Sequence, residues 1–271
     1  MAPPPRSKSQ QAKEFLRQLA IKLCGGLLHL VSRPYQLQEG PAVIIAPHQD
    51  DETLACGGLI ARKRNEGLPV HVIFITDGSA SHPDHPRLGP PAIAALRARE
   101  AMQAISYLGV ERSAVHFLNE PDGSLKTIDS VRREALVIRL AGLFGRIGPA
   151  EIFLPCNPDG SSEHDATFGF VLNAIGRTGL RPDVWQYPVW SWWNPQLLVR
   201  RWLATPDCRR LPVEDYQQAK QHAIECYQSQ IAPIPPDDSA ALPPDLVQIF
   251  NSDTEYFFRY PLPAPTPPAA K

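Results

Sequence analysis

Four side chains of types that can bind metals or transfer protons follow one apolar run of the sequence. The run Ala42–Ala46 (AVIIA) leads directly into Pro47-His48-Gln49-Asp50-Asp51-Glu52, so one imidazole and three carboxylates fall within five residues. Charged groups at a partly buried position are costly unless they are paired or bind a cation. The spacing allows His48 and Asp51 to share one metal ion while Asp50 stays free to transfer a proton.

Two interpretations of this cluster remain open from the spacing alone. Acidic residues are favourable in the first turn of a helix because of the helix dipole, so the run can also be a capping sequence with an incidental histidine. A metal centre needs a third ligand. Among the eight histidines, His164 is the best placed, since it follows the apolar run 151–154 by one loop. His82 and His85, in the loop after the run Val70–Thr76, are the alternatives.

The sequence around the cluster predicts the scaffold that must position it. Apolar runs typical of buried strands alternate with helical patterns. The predicted strands are Ala42–Ala46, Val70–Thr76, 115–118, 151–154 and 183–189, and the predicted helices are 54–65, 92–107, 130–144 and 165–177. This alternation predicts an α/β fold with a Rossmann-like, mostly parallel sheet and helices on both faces, in a single domain. Ligands of such sheets bind beyond the carboxyl ends of the strands, where both His48 and His164 fall.

Motifs and composition exclude several other classes of protein. The chain has no GxGxxG after its first strand and no GxxxxGK[ST], which disfavours dinucleotide and P-loop nucleotide binding. A net charge of -1 gives no electrostatic reason to expect nucleic acid as a partner. The five cysteines include no CxxC pair, so we expect no disulfide framework and no structural zinc knuckle. The expected location is the cytoplasm.

The 30 prolines, about twice the average usage, concentrate near both ends of the chain. We predict a tail with an amphipathic helix over residues 1–37, a catalytic domain over 38–230 and a proline-rich extension over 231–271. The helical pattern at 13–33 is too short and too charged to span a membrane. We expect this helix to pack on the domain; contact with a membrane surface is the alternative. Homo-oligomerisation also stays open.

The chain resembles the LmbE-like or PIG-L family of zinc-dependent de-N-acetylases, which act on N-acetylglucosamine-containing compounds. The first motif of that family, [AP]HPDDE, stands here as Pro47-His48-Gln49-Asp50-Asp51-Glu52, with Gln49 at the usual proline. The downstream matches are Thr76-Asp77-Gly78, Arg97 and Glu100 followed by Leu108-Gly109, Phe117-Leu118, and Pro121-Asp122-Gly123. The resemblance covers about residues 43–166.

The resemblance implies a metal site and a general base. His48, Asp51 and His164 match the residues that bind zinc, and Asp50 matches the general base. Such a set leaves coordination positions open, as catalytic zinc sites do, and bound zinc lowers the pKa of water towards about 7. Histidine and aspartate also accept Fe²⁺, Mn²⁺ or Co²⁺, so these metals are alternative cofactors.

The resemblance also implies substrate contacts. Arg97 and Asp122 match residues that contact the sugar. The family's H-P-D-H stretch reads Ser161-Ser162-Glu163-His164 here, so Ser161 replaces a histidine that helps to stabilise the oxyanion. Ser161, a backbone N–H group or a loop histidine would then supply that hydrogen bond.

These residues together predict a hydrolase, a zinc-dependent N-deacetylase. It would remove the acetyl group from a small-molecule or lipid-linked amino sugar containing N-acetylglucosamine, releasing acetate and a free amine. One alternative is a relative that binds metal and sugar without turnover, because Ser161 replaces the family's histidine. The other is an amidase that acts on a larger N-acyl or thiol-conjugate substrate.

Overall fold

The computed structural model describes residues 8–204 and 207–263 of the chain. Its strands are β1 (Arg33–Pro34), β2 (Ala42–Ala46), β3 (Val70–Thr76), β4 (Val115–Glu120), β5 (Glu151–Pro155), β6 (Asp183–Tyr187), β7 (Cys208–Pro212) and β8 (Thr254–Tyr260). These strands form one sheet in the order β1-β7-β8-β6-β5-β2-β3-β4. Of them only β8 runs antiparallel to its neighbours, β6 and β7. The mostly parallel sheet predicted from the sequence is therefore confirmed.

Helices cover both faces of this sheet. They are α1 (Lys8–Val31), α2 (Asp51–Asn65), α3 (Pro90–Tyr107), α4 (Ser130–Ile147), α5 (Ser162–Thr178), α6 (Trp190–Trp193), α7 (Pro195–Ala204), α8 (Gln217–Glu225), α9 (Gln228–Ile231) and α10 (Pro244–Phe250). Val43 and Ile45 of β2 pack on the side of α4 and α5, whereas Ala42, Ile44 and Ala46 pack on the side of α2 and α3. All five residues of β2 are buried because both faces are covered, which explains its continuous apolar run.

The sheet extends beyond the predicted domain boundary at residue 230. Strand β8 lies between β6 and β7, and its residues Phe257 and Phe258 are buried. The structure therefore differs from the predicted proline-rich extension as far as Tyr260. Prolines lie on both sides of β8, at 243–244 and 261, so the sequence gives little indication of this short strand, whose apolar residues fill the core. Residues 264–271, which hold the rest of the proline-rich run, and the tail residues 1–7 lie outside the described residues.

The predicted N-terminal helix is present as α1. It packs against α6, α7 and β7 through a face that includes the buried residues Ile21 and Leu28. The apolar residues whose spacing predicts the helix point the other way; Phe15 is 68% exposed and Leu30 is 83% exposed. Among the described residues, no helix combines the length and the apolar character needed to cross a membrane.

Candidate active site

The predicted metal ligands meet at the carboxyl ends of β2 and β5. His48 lies in the loop after β2, and Asp51 is the first residue of α2. His164 lies in the first turn of α5, which follows β5. Because β2 and β5 are adjacent and parallel, the loops that follow them lie side by side at one edge of the sheet.

His48, Asp51 and His164 form a group whose ligand atoms all lie within 4.8 Å of one another. The Oδ2 atom of Asp51 is 3.4 Å from Nδ1 of His48 and 3.3 Å from Nε2 of His164. The Nε2 atom of His164 is buried and has no hydrogen-bond partner within the described chain. An unpaired imidazole nitrogen directed at a carboxylate and a second imidazole fits a divalent metal ion with open coordination positions.

Asp159 determines how the ring of His164 is oriented. Its buried carboxylate accepts a hydrogen bond from Nδ1 of His164 at 2.8 Å. It also accepts hydrogen bonds from the backbone N–H groups of Val189, Trp190 and Ser191. Since Nδ1 donates to Asp159, Nε2 is the ring nitrogen that faces Asp51 and that a metal ion would take once its proton is displaced. Sequence reasoning missed Asp159; its only signal is a carboxylate in the loop after β5, five residues before His164.

Asp122 holds His48 in a similar way. Its Oδ1 atom lies 3.2 Å from Nε2 of His48, and its Oδ2 atom accepts a hydrogen bond from the backbone of Ala80 at 3.1 Å. Nδ1 of His48 therefore faces Asp51. Asp122 also forms a second group of candidate ligands with His48 and Glu163, another residue that sequence reasoning did not select. The structure thus places Asp122 in contact with a candidate metal ligand, while the predicted contact with a sugar stays a prediction.

The carboxylates keep both histidines positively charged. Burial lowers the pKa of His48, but hydrogen bonds to Asp122 and Asp51 outweigh it and bring the pKa to about 9. Burial likewise lowers the pKa of His164, but Asp51 and Asp159 raise it to about 10. Burial raises the pKa of Asp51, yet the two histidines hold it well below its ordinary value. The site therefore stabilises positive charge, and metal binding would displace protons from its imidazoles.

Asp50 is a buried carboxylate beside the metal-ligand group. Its backbone φ of 154° lies in a region that few residues other than glycine adopt. The carboxylate is 3.3 Å from Nη2 of Arg97, which also donates a hydrogen bond to the carbonyl oxygen of Gln49 at 2.5 Å. Burial raises the pKa of Asp50 to about 6, although the charge of Arg97 opposes this shift. A carboxyl group that ionises near neutral pH is suited to accept a proton during a reaction.

Gln49 occupies the position where the family usually has proline. Its side chain is buried and donates a hydrogen bond to the carbonyl oxygen of Thr76 at 2.7 Å, which ties the loop after β2 to the end of β3. Gly78 has a φ of +67°, and a Cβ atom there would collide with Oε1 of Gln49 and lie 3.0 Å from Nε of Arg97. The Thr76-Asp77-Gly78 motif therefore makes room for the residues that surround Asp50.

Ser161 and the loop histidines differ in their relation to this site. Ser161 is the N-cap residue of α5, but its side chain makes no capping hydrogen bond, and the residue lines the cavity at the site. His82 and His85 join neither group of candidate metal ligands among the described residues. Nδ1 of His85 instead accepts hydrogen bonds from the backbone of Arg87 and Leu88. The structure therefore favours His164 as the third ligand.

A cavity of about 410 Å³ lies over these side chains. Val189 and Trp190, which follow β6, both line it. The chain around residue 230 also contributes Gln230 and Leu242, which are joined by a backbone hydrogen bond of 2.9 Å. No local sequence pattern marks these two residues, because only the path of the chain after α9 brings them to the cavity.

The fold and the site together define a class: α/β proteins with two histidines and an aspartate at the carboxyl edge of a parallel sheet, beside a buried carboxylate. Residues 43–175 match the model of the GlcNAc-PI de-N-acetylase family, PIG-L. A diacetylchitobiose deacetylase from Thermococcus kodakarensis is 27% identical over 136 residues, which cover 50% of this chain and 49% of that protein. The match therefore spans about half the length of this curated relative.

Solved structures share the fold at low sequence identity. The 4-carboxy-2-hydroxymuconate hydratase GalB from Pseudomonas putida has a TM-score of 0.63 and 17% identity, over 84% of this chain and 99% of that one. The N,N'-diacetylchitobiose deacetylase from Pyrococcus horikoshii has a TM-score of 0.57 and 18% identity, over 90% of this chain and 84% of that one. These similarities establish the architecture, which proteins of different activities share.

Proposed function

We propose that the protein is a metal-dependent hydrolase that removes the acetyl group from an N-acetylglucosamine-containing substrate. The observation that carries this proposal is the convergence of His48 and His164 on Asp51, with the buried carboxylate of Asp50 beside them. The match of residues 43–175 to the PIG-L family model and the similarity to a diacetylchitobiose deacetylase support it. The products would be acetate and a free amine.

Asp50 would transfer the proton in both halves of the reaction. A divalent cation bound by His48, Asp51 and His164, with zinc as our first choice, would supply Lewis acidity and a lowered pKa for water. Asp50 would accept the proton of the attacking water on its carboxylate and later return it to the departing amine nitrogen. Arg97 would hold that carboxylate in place, since the two groups are 3.3 Å apart.

Ser161 would assist at the carbonyl oxygen of the acetyl group. The residue lines the cavity, and its side chain makes no capping hydrogen bond in α5. A hydroxyl that donates to the developing oxyanion stabilises the transition state more than the ground state. Ser161 would therefore replace in part the histidine that the family carries at this position.

The cavity supports a small substrate or the exposed end of a larger one. Its volume of about 410 Å³ falls within the range of small-molecule sites. Trp190 offers an aromatic surface on which a sugar ring could stack, and Leu242 adds an apolar wall. The candidate substrates are small-molecule and lipid-linked amino sugars.

The test combines metal content with amine release from a panel of N-acetylglucosamine derivatives. Asp50→Asn should retain the bound metal and lower turnover by about 10²- to 10⁴-fold, the usual contribution of a general base. Asp84→Asn is the matched control, because Asp84 is exposed and lies outside the cavity lining. Turnover by Asp50→Asn equal to that of the control would refute the assignment of the base.

The serine at position 161, where the family has a histidine, favours a second candidate, a protein that binds metal and sugar without turnover. That candidate expects metal and sugar binding with no release of amine from any member of the panel, and gain of activity in Ser161→His. Release of amine from larger N-acyl or thiol-conjugate substrates alone would instead identify an amidase. Release from the N-acetyl sugars supports the deacetylase.

A further inference from the structure

The outer face of α1 carries an apolar stripe. Its residues are 42–83% exposed. They are Phe15, Leu16, Leu19, Leu23, Leu27 and Leu30. At 100° per residue these positions fall within an arc of about 120° along the helix. Monomeric proteins rarely expose a contiguous apolar surface of this kind unless it contacts a partner or a membrane.

The stripe does not attach α1 to the rest of the protein. The opposite face of the helix packs against the domain. Ile21 and Leu28 are buried, and the guanidinium group of Arg17 lies 3.8 Å from the ring centre of Trp193 in α6. Trp192 approaches α1 at Gly25. The helix is thus attached through its inner face, and the apolar stripe is left for another contact.

Helix α7 also exposes apolar residues. It contacts α1, and it exposes Val199 at 37% and Leu203 at 68%. Arg200, next to Val199, is exposed as well. We call the stripe of α1 together with these three residues of α7 the α1–α7 face.

The charges at the border of the α1–α7 face are basic. On the helical arc, Lys13 lies on one side of the stripe, and Lys22 and His29 lie on the other; all three are exposed. Glu14 lies on the opposite side of α1, where its carboxylate is 3.5 Å from the guanidinium of Arg17. Helix α7 contains no acidic residue. Apolar residues bordered by lysines, whose long side chains reach outward to headgroups, are typical of helices that lie in a membrane interface.

We propose that the α1–α7 face docks on the surface of a bilayer that contains anionic phospholipid. The apolar stripe would enter the boundary between headgroups and acyl chains, and Lys13, Lys22 and Arg200 would contact anionic headgroups. A second copy of the chain fits this face less well. Two such faces would bring basic borders together, with no acidic side chain among the described residues of either face to pair with them.

The docking surface is joined to the candidate active site but does not overlap it. Helix α6 lies between them: Trp190 lines the cavity, whereas Trp192 and Trp193 contact α1. None of the candidate metal ligands belongs to the α1–α7 face. Docking can therefore be tested on the full chain without any assay of activity.

The experiment is co-sedimentation of the full chain with phosphatidylcholine vesicles that do or do not contain phosphatidylglycerol. We expect binding to the vesicles with phosphatidylglycerol and weaker binding at high salt, because salt screens the lysines. Leu19→Gln combined with Leu23→Gln should lower vesicle affinity at least about tenfold, since two leucines no longer enter the bilayer. Lys13→Glu combined with Lys22→Glu should also lower it at least about tenfold, and only for vesicles with phosphatidylglycerol.

The matched control replaces two exposed apolar residues on the other face of the sheet. Val131 and Ile138 of α4 are 76% and 55% exposed, so Val131→Gln combined with Ile138→Gln should bind vesicles as the unaltered protein does. Failure of the unaltered protein to sediment with either vesicle would overturn the proposal. Equal binding by the leucine variant and the control would overturn it too. A dimer seen by light scattering that only the leucine variant dissociates, without vesicle binding, would identify a second copy as the occupant.

Discussion

The Nδ1 atom of His164 lies 2.8 Å from a carboxylate oxygen of Asp159, and both side chains are fully buried. Asp159 is itself fixed by the backbone N–H groups of Val189, Trp190 and Ser191, which all donate to its carboxylate. The end of the loop after β6 and the first turn of α6 thereby orient a candidate metal ligand in α5. His164 keeps Nε2 directed at Asp51 because of a residue that is not itself a candidate metal ligand.

Asp159→Asn should weaken metal binding by about 10- to 100-fold. The NH₂ group of asparagine would face N–H groups that all donate to Asp159, so the hydrogen bond that orients His164 would be disturbed. The measurement is a metal titration against a competing chelator. Asp129→Asn is the control, since Asp129 caps α4 away from the site. Unchanged metal affinity in Asp159→Asn would show that Asp159 does not position the ligand.

The pH dependence of kcat/KM should report the environment of Asp50. Its pKa is raised to about 6 by burial, so its basic form is lost as the pH falls through about 6, and kcat/KM should fall with it. The positive charge of Arg97 opposes that shift. Arg97→Gln should therefore raise the pKa of Asp50 further and move the acidic limb of the profile to higher pH. Arg99→Gln, at an exposed neighbouring position, should leave the limb in place. If the acidic limb stays in place or moves to lower pH in Arg97→Gln, Arg97 does not lower the pKa of Asp50.

The sequence predicted the part of the site that is local. His48, Asp50 and Asp51 lie within four consecutive residues after a strand, and their spacing allows metal and proton chemistry as well as a helix-capping sequence. His164 required the sheet as well, because its approach depends on β5 lying next to β2. The structure groups His164 with His48 and Asp51, and the histidines at 82 and 85 do not join this group; the role of His164 as a ligand stays a prediction.

Other features depend on the path of the chain and have no local signal. Leu242 reaches the cavity only because the segment after α9 returns over the site. The sequence predicts a proline-rich extension where strand β8 lies, because the pairing partners of β8, β6 and β7, are distant in sequence. The outward direction of the apolar residues of α1 was also unexpected, because spacing predicts a helical face but not what covers it.

Ser161→Ala should lower kcat by about tenfold or more and leave KM nearly unchanged. The expected loss arises because a donor to the oxyanion acts in the transition state rather than on the bound substrate. Ser162→Ala is a close control, since Ser162 is exposed and absent from the lining of the cavity. Steady-state kinetics on an N-acetyl sugar would compare the two. Equal kcat values in the two variants would place the oxyanion donor elsewhere, such as on a backbone N–H group.

Glu151→Gln should destabilise the protein by about 3–5 kcal/mol, the usual cost of leaving one buried charge unpaired. Glu151 lies 2.7 Å from Nζ of Lys63, and both side chains are at most 1% exposed. Its carboxylate also accepts a hydrogen bond from Nε1 of Trp185 at 3.1 Å. Urea unfolding is the measurement. Glu134→Gln, which breaks an exposed pair with Arg177, should leave the midpoint nearly unchanged. Similar urea midpoints for the two variants would show that the buried pair of Glu151 and Lys63 stabilises the protein no more than the exposed pair does.

Gly58→Ala should weaken both folding and metal binding, because Gly58 lies in the same helix as Asp51. A Cβ atom at Gly58 would lie 2.5 Å from Cγ1 and 2.6 Å from Cβ of Val213, and α2 would have to move. Overpacking of this kind costs about 1–3 kcal/mol. Val213→Ala combined with Gly58→Ala should recover part of the loss in urea unfolding and in metal titration, since Cγ1 and Cγ2 are removed and only the contact with Cβ of residue 213 remains.

Gly169→Ala provides the opposite case in a neighbouring helix. Gly169 lies in α5, and a Cβ atom there meets nothing within 4 Å. Alanine at a helical position of this kind should stabilise the protein by up to about 1 kcal/mol, because it loses less backbone freedom on folding than glycine does. Metal affinity should stay unchanged in this variant although α5 carries His164. If Gly58→Ala proved as stable as Gly169→Ala, close packing at Val213 would not be what holds α2, and with it Asp51, in position.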